Sequence, residues 1–303
     1  MKTSESRYPL SADDGYPMEV YGWNADAPPA RAVVQIAHGM GEHTSRYRAL
    51  AEALTGAGYA VYANEHRGHG ADAAGRGELG EFGTGGFASL VADMATLSRF
   101  ARSRHPGAPL ILMGHSMGSF ATQVYMLDHS ALVQGIALSG TTAVDLLGTQ
   151  IMAGWKLEDA NAAFPNPRTP FDWLSRDPAT VDAYMADSLC GFTVTPASFQ
   201  SMLLACARAT PVDAYQGVRA DLPLFAFVGD QDPINNHLEW FYPLLQRYQR
   251  AGLTNVSSHV FGGARHEVFN ETNRAEVVAD FLSWIEQTVL GDPRKKTSDA
   301  SGQ

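Results

Sequence analysis

Gly114-His115-Ser116-Met117-Gly118 is the segment whose residue types and spacing best fit covalent chemistry. An apolar run precedes it and a helical pattern follows it at once. A Gly-x-Ser-x-Gly pattern between a strand and a helix predicts a nucleophile elbow, a tight turn that projects the serine hydroxyl above a sheet. The start of the helix would add N–H groups for a developing oxyanion. A glycine-rich turn without catalysis is the alternative interpretation.

A nucleophilic serine needs a base and a group that orients the base. His266 follows the last predicted strand, and Asp230 and Asp232 follow the strand before it. We prefer Asp232, because Asp230 adjoins its strand and is placed to satisfy turn backbone. His259 lies inside a strand run, where a core or surface histidine is expected. The chain order Ser116, Asp232, His266 is the order expected of this kind of scaffold.

The run Ala-His-Gly-Met-Gly-Glu-His at residues 37–43 follows the first apolar strand. Its glycines allow the loop backbone to turn an N–H group toward the serine. We therefore expect the backbone N–H groups of Met40 and Met117 to form the oxyanion hole. This chemistry needs no metal and no organic cofactor.

Apolar runs of strand type alternate with longer amphipathic patterns along most of the chain. This alternation predicts an α/β fold with a mainly parallel sheet of eight strands covered by helices on both faces. Residues 8–10 and 18–23 are expected to add an antiparallel hairpin at one edge. The predicted parallel strands are 32–38, 59–63, 109–114, 133–139, 222–229 and 255–261, and the predicted helices are 46–57, 87–104, 117–128, 236–250 and 275–288.

One segment interrupts the alternation and predicts a helical cap over one end of the sheet. We expect the cap at residues 141–216, a core domain at 7–140 and 217–292, and flexible tails at 1–6 and 293–303. The cap is rich in large apolar side chains, which either form a small core of their own or wall an apolar acyl channel. These are Trp155, Phe164, Phe171, Trp173, Phe192, Phe199 and Met202.

The composition argues against three classes of protein: nucleic-acid-binding, disulfide-stabilised and membrane-spanning proteins. The 303 residues include 22 Lys and Arg against 32 Asp and Glu, a formal charge of −10 that argues against nucleic-acid binding. Cys190 and Cys206 are too few for a disulfide framework. The polar start of the chain and the lack of a long apolar run predict neither a signal peptide nor a membrane span, so we expect a cytoplasmic protein.

Two weaker patterns could indicate a dinucleotide site and a metal site, but we expect neither. Gly75-x-Gly77-x-x-Gly80 has the dinucleotide-binding spacing, but it neither follows a strand directly nor opens an apolar helix. A group of histidines could suggest a metal site, although no carboxylate–histidine spacing on one helix supports it. We expect structural hydrogen bonding from these histidines, which are His38, His43, His66 and His69.

Several motifs together resemble monoglyceride lipases and lysophospholipases, a serine aminopeptidase S33-type group of the α/β-hydrolases. The run His-Gly-Met-Gly-Glu-His-Thr-Ser-Arg-Tyr at 38–47 is similar to their first signature, and His-Arg-Gly-His-Gly at 66–70 to their second. Glu65 precedes the second signature where the group usually has Asp. The elbow at 114–118, the acid loop at 229–232 and the base loop at 265–267 match in the same order.

The resemblance implies a serine carboxylic-ester hydrolase with Ser116, Asp232 and His266 as its triad and Met40 and Met117 as oxyanion donors. From the apolar side chains of the predicted cap we expect the substrate to be an uncharged small-molecule ester with an apolar acyl chain. Two alternatives stay open. An aminopeptidase would need an anionic recess, which the cap residues Glu158, Asp159 and Asp187 could supply. A ligand-binding receptor would keep the fold and bind substrate with negligible turnover.

Overall fold

The sheet forms the centre of the molecule in the computed structural model, which describes residues 4–24 and 29–291. Its eight strands run in the order β1-β2-β4-β3-β5-β6-β7-β8. The pairs β1–β2 and β2–β4 are antiparallel, and every other pair is parallel. The strands are β1 (Glu5–Ser11), β2 (Pro17–Trp23), β3 (Val33–Ala37), β4 (Ala60–Asn64), β5 (Leu110–His115), β6 (Gly135–Ser139), β7 (Leu224–Gly229) and β8 (Val256–Phe261).

This arrangement confirms the predicted α/β class, the mainly parallel eight-stranded sheet and the hairpin at one edge. The central strands β3 to β7 are buried along their whole length, which explains their continuous apolar sequences. Because the parallel strands all point the same way, the loops that follow β3, β5, β7 and β8 meet at one edge of the sheet.

Helices cover both faces of the sheet and create two apolar layers. Helices α3, α4 and α8 pack on one face through residues such as Met94, Val124 and Leu244. Helices α1 and α9 cover the other face through residues such as Leu54 and Phe281. The helices of the described residues are α1 (Arg48–Gly56), α2 (Gly70–Arg76), α3 (Gly86–Arg104), α4 (Met117–His129), α5 (Val144–Met152), α6 (Pro178–Ala186), α7 (Pro196–Ala207), α8 (Phe241–Arg250) and α9 (Arg274–Trp284).

Between β6 and β7 the described chain contains α5, α6, α7 and short helical turns, and no strand. Helix α7 packs against α3, α4 and α5. Pro at the first turn and a side-chain cap start both α6 and α7, because Asp177 accepts from the Ala179 N–H and Thr195 from the Ser198 N–H. None of the helices in the described ranges is long and apolar enough to cross a bilayer.

Two sequence-based expectations need correction, and one helix was not predicted. Residues 5 and 6 belong to β1, so the predicted tail at 1–6 is wrong there, while residues 1–3 and 292–303 lie outside the described residues. Helix α8 begins at Phe241, not at 236, because Asn236, His237 and Leu238 have φ angles of 49°, 49° and 78°, which a right-handed helix does not allow. Helix α2 was not predicted, since its sequence is short and rich in glycine.

The backbone is tightly crowded at the turn from β5 into α4. Ser116 has φ 52° and ψ −123°, a conformation that is uncommon for a residue with a side chain. A Cβ at Gly114 would lie 2.3 Å from the Gly118 carbonyl oxygen, and one at Gly118 would lie 2.1 Å from that of Ala37. The strand and the helix therefore approach more closely than any residue except glycine permits.

Gly118→Ala is expected to lower the free energy of unfolding by at least about 1 kcal/mol, because the new methyl group overlaps the Ala37 carbonyl. Gly56→Ala is the matched control, since it also lies in a helix but would meet no atom within 4 Å. Alanine favours helix over glycine by about 1 kcal/mol, so this variant should be neutral or stabilising. Urea unfolding measures both. Equal effects of the two substitutions would contradict the steric interpretation.

Candidate active site

Ser116 lies at the carboxyl end of β5, half-buried, on the wall of a cavity. Its N–H donates to the Ser139 carbonyl at 3.0 Å, which ties the turn to the end of the neighbouring strand β6. The Ser116 carbonyl accepts from the N–H of Ser119 at 2.8 Å and of Phe120 at 3.1 Å in the first turn of α4. The strained backbone of Ser116 is therefore held from both sides, and its side chain is left to the cavity.

Asp232 and His266 form a buried pair at the ends of β7 and β8. His266 Nδ1 donates to Asp232 Oδ2 at 2.9 Å, and the two side chains are 2% and 0% exposed. The other carboxylate oxygen accepts from the Ile234 N–H at 2.9 Å, which fixes the carboxylate plane. His266 Nε2 is buried and has no hydrogen-bond partner among the described residues. The His266 ring, which carries this unpartnered Nε2, lines the same cavity as Ser116.

The carboxylate controls the proton affinity of this histidine. Burial alone would favour the neutral ring, but the charge of Asp232 and its hydrogen bond outweigh it and raise the pKa of His266 above 6.5. His115, which lies 4.9 Å from the His266 ring, has no such partner. Burial and the neighbouring His266 lower the pKa of His115 to about 4, so His115 is neutral at physiological pH.

The two alternatives weighed from the sequence occupy other places. Asp230 Oδ1 accepts from the Gly263 N–H at 2.7 Å and so joins the loop after β7 to the loop after β8. His259 lies on β8 with its ring partly exposed, and its Nδ1 is 2.8 Å from Asp280 Oδ2. Neither residue lines the cavity.

Met40 and Met117 line the same cavity as Ser116. Within the described part of the chain their backbone N–H groups donate to no protein acceptor, whereas the neighbouring N–H groups of Gly39 and Gly41 donate to Glu42 Oε1 and His69 Nε2. A Cβ at Gly39 would lie 3.2 Å from Ser116 Cβ. The loop backbone therefore passes close to Ser116 at Gly39, where the absence of a side chain makes room for the serine.

Two buried histidines, His38 and His69, hold the backbone of the Met40 loop through hydrogen bonds. His38 Nε2 accepts from the His66 N–H at 3.0 Å, so Nδ1 carries the proton and donates to the Gly39 carbonyl at 2.8 Å. His69 uses its two ring nitrogens in the same way, toward the Gly41 N–H and the Arg67 carbonyl. Burial lowers the pKa of both His38 and His69 to about 3. Backbone groups occupy both nitrogens of these two rings, which leaves no lone pair for a metal.

Glu65, the residue that departs from the family signature, is buried beside the same loop. Its carboxyl oxygens accept from the Thr44 N–H at 3.3 and 3.2 Å. Burial raises the pKa of Glu65 to about 8. The longer side chain fills the space where a Cβ at Gly70 would otherwise fit, 2.7 Å from Glu65 Cγ.

Arg46 connects the loop of Met40 with the loop of His266, a link that sequence reasoning missed. Its guanidinium donates to Glu42 Oε2 at 2.7 Å and to both carboxylate oxygens of Glu267 at 2.6 and 2.7 Å. All three side chains are nearly fully buried. The i,i+4 spacing of Glu42 and Arg46 is a signal in the sequence, but nothing local points to a partner 221 residues away.

The cavity has a volume of about 510 Å³ and a mostly apolar wall. Six of the seven large side chains named above in the predicted cap line it, and the Trp173 ring lies 5.1 Å from the His266 ring. The exception is Phe164, which packs under the Arg265 guanidinium at 4.2 Å. The six lining residues are Trp155, Phe171, Trp173, Phe192, Phe199 and Met202.

The three acidic cap residues proposed as an anionic recess do not converge. Glu158 lines the cavity, but Lys156 lines it as well. Asp159 accepts from the Lys156 N–H at 2.8 Å, and Asp187 lies 2.8 Å from His43. Of these three acidic residues, Glu158 alone lines the cavity, and the Lys156 side chain accompanies it there.

Comparison with known proteins gives consistent matches over most of the chain. The family model described as serine aminopeptidase, S33, matches residues 28–273. The monoacylglycerol lipase of Mycolicibacterium smegmatis is 32% identical over 87% of this chain and 90% of its own length. The monoglyceride lipase of Mus musculus is 28% identical over 92% and 90%.

Solved structures agree with these matches. A highly thermostable carboxyl esterase from Bacillus coagulans, in complex with glycerol, superimposes with a TM-score of 0.83 at 27% identity, over 94% of this chain and 99% of that one. A soluble variant of monoglyceride lipase from Saccharomyces cerevisiae has a TM-score of 0.71 at 20% identity, over 94% and 95%, and supports the fold alone. The chain belongs to the serine aminopeptidase S33 family and is an α/β-hydrolase of the monoglyceride lipase-like group.

Proposed function

We propose that this carboxylic-ester hydrolase cleaves small and medium uncharged monoesters, such as monoacylglycerols, through an acyl-enzyme on Ser116. One observation carries the proposal. The buried Asp232–His266 pair offers an unpartnered Nε2 to the same apolar cavity in which Ser116 is held on a strained turn. The relatives named monoacylglycerol and monoglyceride lipase suggest the alcohol part of the substrate.

In the proposed reaction, Ser116 Oγ attacks the ester carbonyl carbon while His266 Nε2 takes the hydroxyl proton. Asp232 keeps the other ring proton on Nδ1 and stabilises the imidazolium that forms. The tetrahedral intermediate then expels the alcohol, which receives its proton from His266. A water molecule repeats the sequence on the acyl-enzyme, with His266 again as base, and releases the carboxylic acid.

The backbone N–H groups of Met40 and Met117 are the proposed oxyanion hole. Both residues line the same cavity as Ser116, and their N–H groups have no acceptor among the described residues. His38 holds the Gly39 carbonyl and thereby sets the plane of the peptide that carries the Met40 N–H. Donors fixed before the reaction stabilise developing negative charge without reorganising at that moment.

We infer that residues 141–216 form a cap that supplies most of the acyl-binding wall. This inference is supported by the six cap side chains on the cavity and by the strand-free chain between β6 and β7. Each CH₂ group that an acyl chain buries there contributes about 0.8 kcal/mol. The free thiols Cys190 and Cys206 fit a reducing compartment, and we propose a cytoplasmic location.

A series of monoesters with increasing acyl length, including monoacylglycerols, tests this function. The ratio kcat/KM is expected to rise with acyl length until the cavity is full and then to fall. Ser116→Ala is the control and should lose about four orders of magnitude in kcat and all labelling by a fluorophosphonate probe. Higher activity on triacylglycerol emulsions or on aminoacyl amides would contradict the proposal, and a burst without turnover would indicate a receptor.

Asp232→Asn is expected to lower kcat by about 10⁴, because the amide favours the wrong tautomer of His266. Asp230→Asn is the matched control on the same loop and should cost far less, since its partner is the Gly263 N–H. Steady-state kinetics on one short-chain ester compares the two variants. The reverse ranking would assign the orienting role to Asp230.

Activity is expected to decline in acid with a midpoint above pH 6.5. The raised pKa of His266 means that the ring is protonated, and unable to act as a base, below that midpoint. His115, with a pKa of about 4, does not titrate in this range. In Asp232→Asn the residual activity should have its midpoint at lower pH, since the stabilising charge is gone. A pH profile of kcat/KM that stays flat down to about pH 5 would exclude a histidine base.

A further inference from the structure

Three side chains of different chemistry lie close together where the Met40 loop meets the turn after α6. His43 comes from that loop, and Asp187 and Cys190 come from the turn that follows α6. His43 Nε2 lies 2.8 Å from Asp187 Oδ2. One donor atom from each of the three residues lies within 4.8 Å of the other two.

Backbone hydrogen bonds hold the two segments in register. The Gly191 N–H donates to the Gly41 carbonyl at 2.9 Å, and so does the Tyr184 hydroxyl at 2.9 Å. Within the turn, the Cys190 N–H donates to the Asp187 carbonyl at 3.0 Å, and the Leu189 N–H donates to Asp187 Oδ1 at 2.9 Å. The three side chains are therefore presented by backbone that is already fixed, and Asp187 Oδ2 is bonded to His43 rather than to this backbone.

An imidazole nitrogen, a thiolate and a carboxylate oxygen are ligands that suit zinc. Tetrahedral bonds of about 2.0 to 2.3 Å place ligand atoms about 3.3 to 3.8 Å apart, so small side-chain movements would complete the geometry. Asp187 is about one-third exposed and Cys190 is half-buried, which gives an ion access from solvent. We propose that His43, Asp187 and Cys190 form a binding site for a divalent transition-metal ion of the zinc type, which joins the cap to the oxyanion loop.

Binding changes the protonation of two ligands. The Cys190 thiol releases its proton to solvent as the sulfur–metal bond forms. The ring proton of His43, which Nε2 donates to Asp187 in the metal-free protein, moves through solvent to Nδ1, so that the Nε2 lone pair can coordinate. The hydrogen bond from His43 to Asp187 is replaced by two bonds to the same ion. Three protein ligands leave a fourth position for water, as in zinc sites that are open to solvent.

The second cysteine provides a matched control. Cys206 lies on α7, is 4% exposed and belongs to no group of metal-ligating side chains in the described residues. Cys190→Ser removes a proposed ligand, and Cys206→Ser removes a thiol of the same chain outside the site. Asp187→Asn and His43→Gln test the other two ligands with side chains of similar size.

Co²⁺ is the probe, because a cobalt–thiolate bond gives a charge-transfer band in the near ultraviolet and tetrahedral cobalt absorbs strongly in the visible. Titration of the metal-free full-length protein is expected to show one Co²⁺ per chain with both features. Zn²⁺ should then displace the cobalt and remove them. Cys206→Ser should retain the spectrum, Cys190→Ser should lose the charge-transfer band, and Asp187→Asn and His43→Gln should weaken binding at least about tenfold.

The wild-type titration keeps the proposal testable even if a variant fails to fold. No charge-transfer band at millimolar Co²⁺ would overturn the site. A band that survives in Cys190→Ser, or disappears in Cys206→Ser, would also overturn it. Because the readout is the spectrum of the bound ion, the result does not depend on whether Ser116 is the nucleophile.

Discussion

The close approach of β5 to α4 is the constraint on which the site depends. Gly114 and Gly118 let the strand and the helix meet at a separation that a single Cβ would prevent, and Ser116 is held between them at positive φ. Such strain persists only where the surroundings over-determine it. Here the Ser139 carbonyl, the first turn of α4 and the backbone of Ala37 together supply that restraint. Loops from β3, β7 and β8 then have a fixed point around which to assemble.

The other loops are connected to one another by buried polar groups. Arg46 spans the distance between Glu42, which holds the Gly39 N–H, and Glu267, which follows His266. Removing one partner from such a network leaves an uncompensated buried charge, which costs more than the network itself contributes to stability. The network therefore fixes the relative position of two loops. The loop of Met40 cannot shift far without disturbing the loop of His266.

The sequence predicted the strand alternation, the elbow and the residues on the loops after each strand, because each of these is encoded over a few neighbouring residues. Asp232 and His266 could be placed near Ser116 from topology alone, since parallel strands end at one edge. The left-handed backbone at residues 236–238 was not predicted, although Asn and His are enriched in that conformation, because the apolar spacing from Leu238 onward continues into α8 and predicts a single helix. The Arg46–Glu267 pair joins residues 221 positions apart, and no local pattern specifies such a contact.

The Gly41 carbonyl accepts two hydrogen bonds from the proposed cap. One comes from the Tyr184 hydroxyl and the other from the Gly191 N–H. If each bond contributes about 0.5 to 1.5 kcal/mol net, lifting this corner of the cap costs about 1 to 3 kcal/mol. The lifted form would then be outnumbered by about 5 to 150 to one. Met40, whose N–H we propose as an oxyanion donor, directly precedes Gly41 in the chain. If the proposed cap opens at this corner, the single carbonyl of Gly41 links the entry of substrate to the position of that donor.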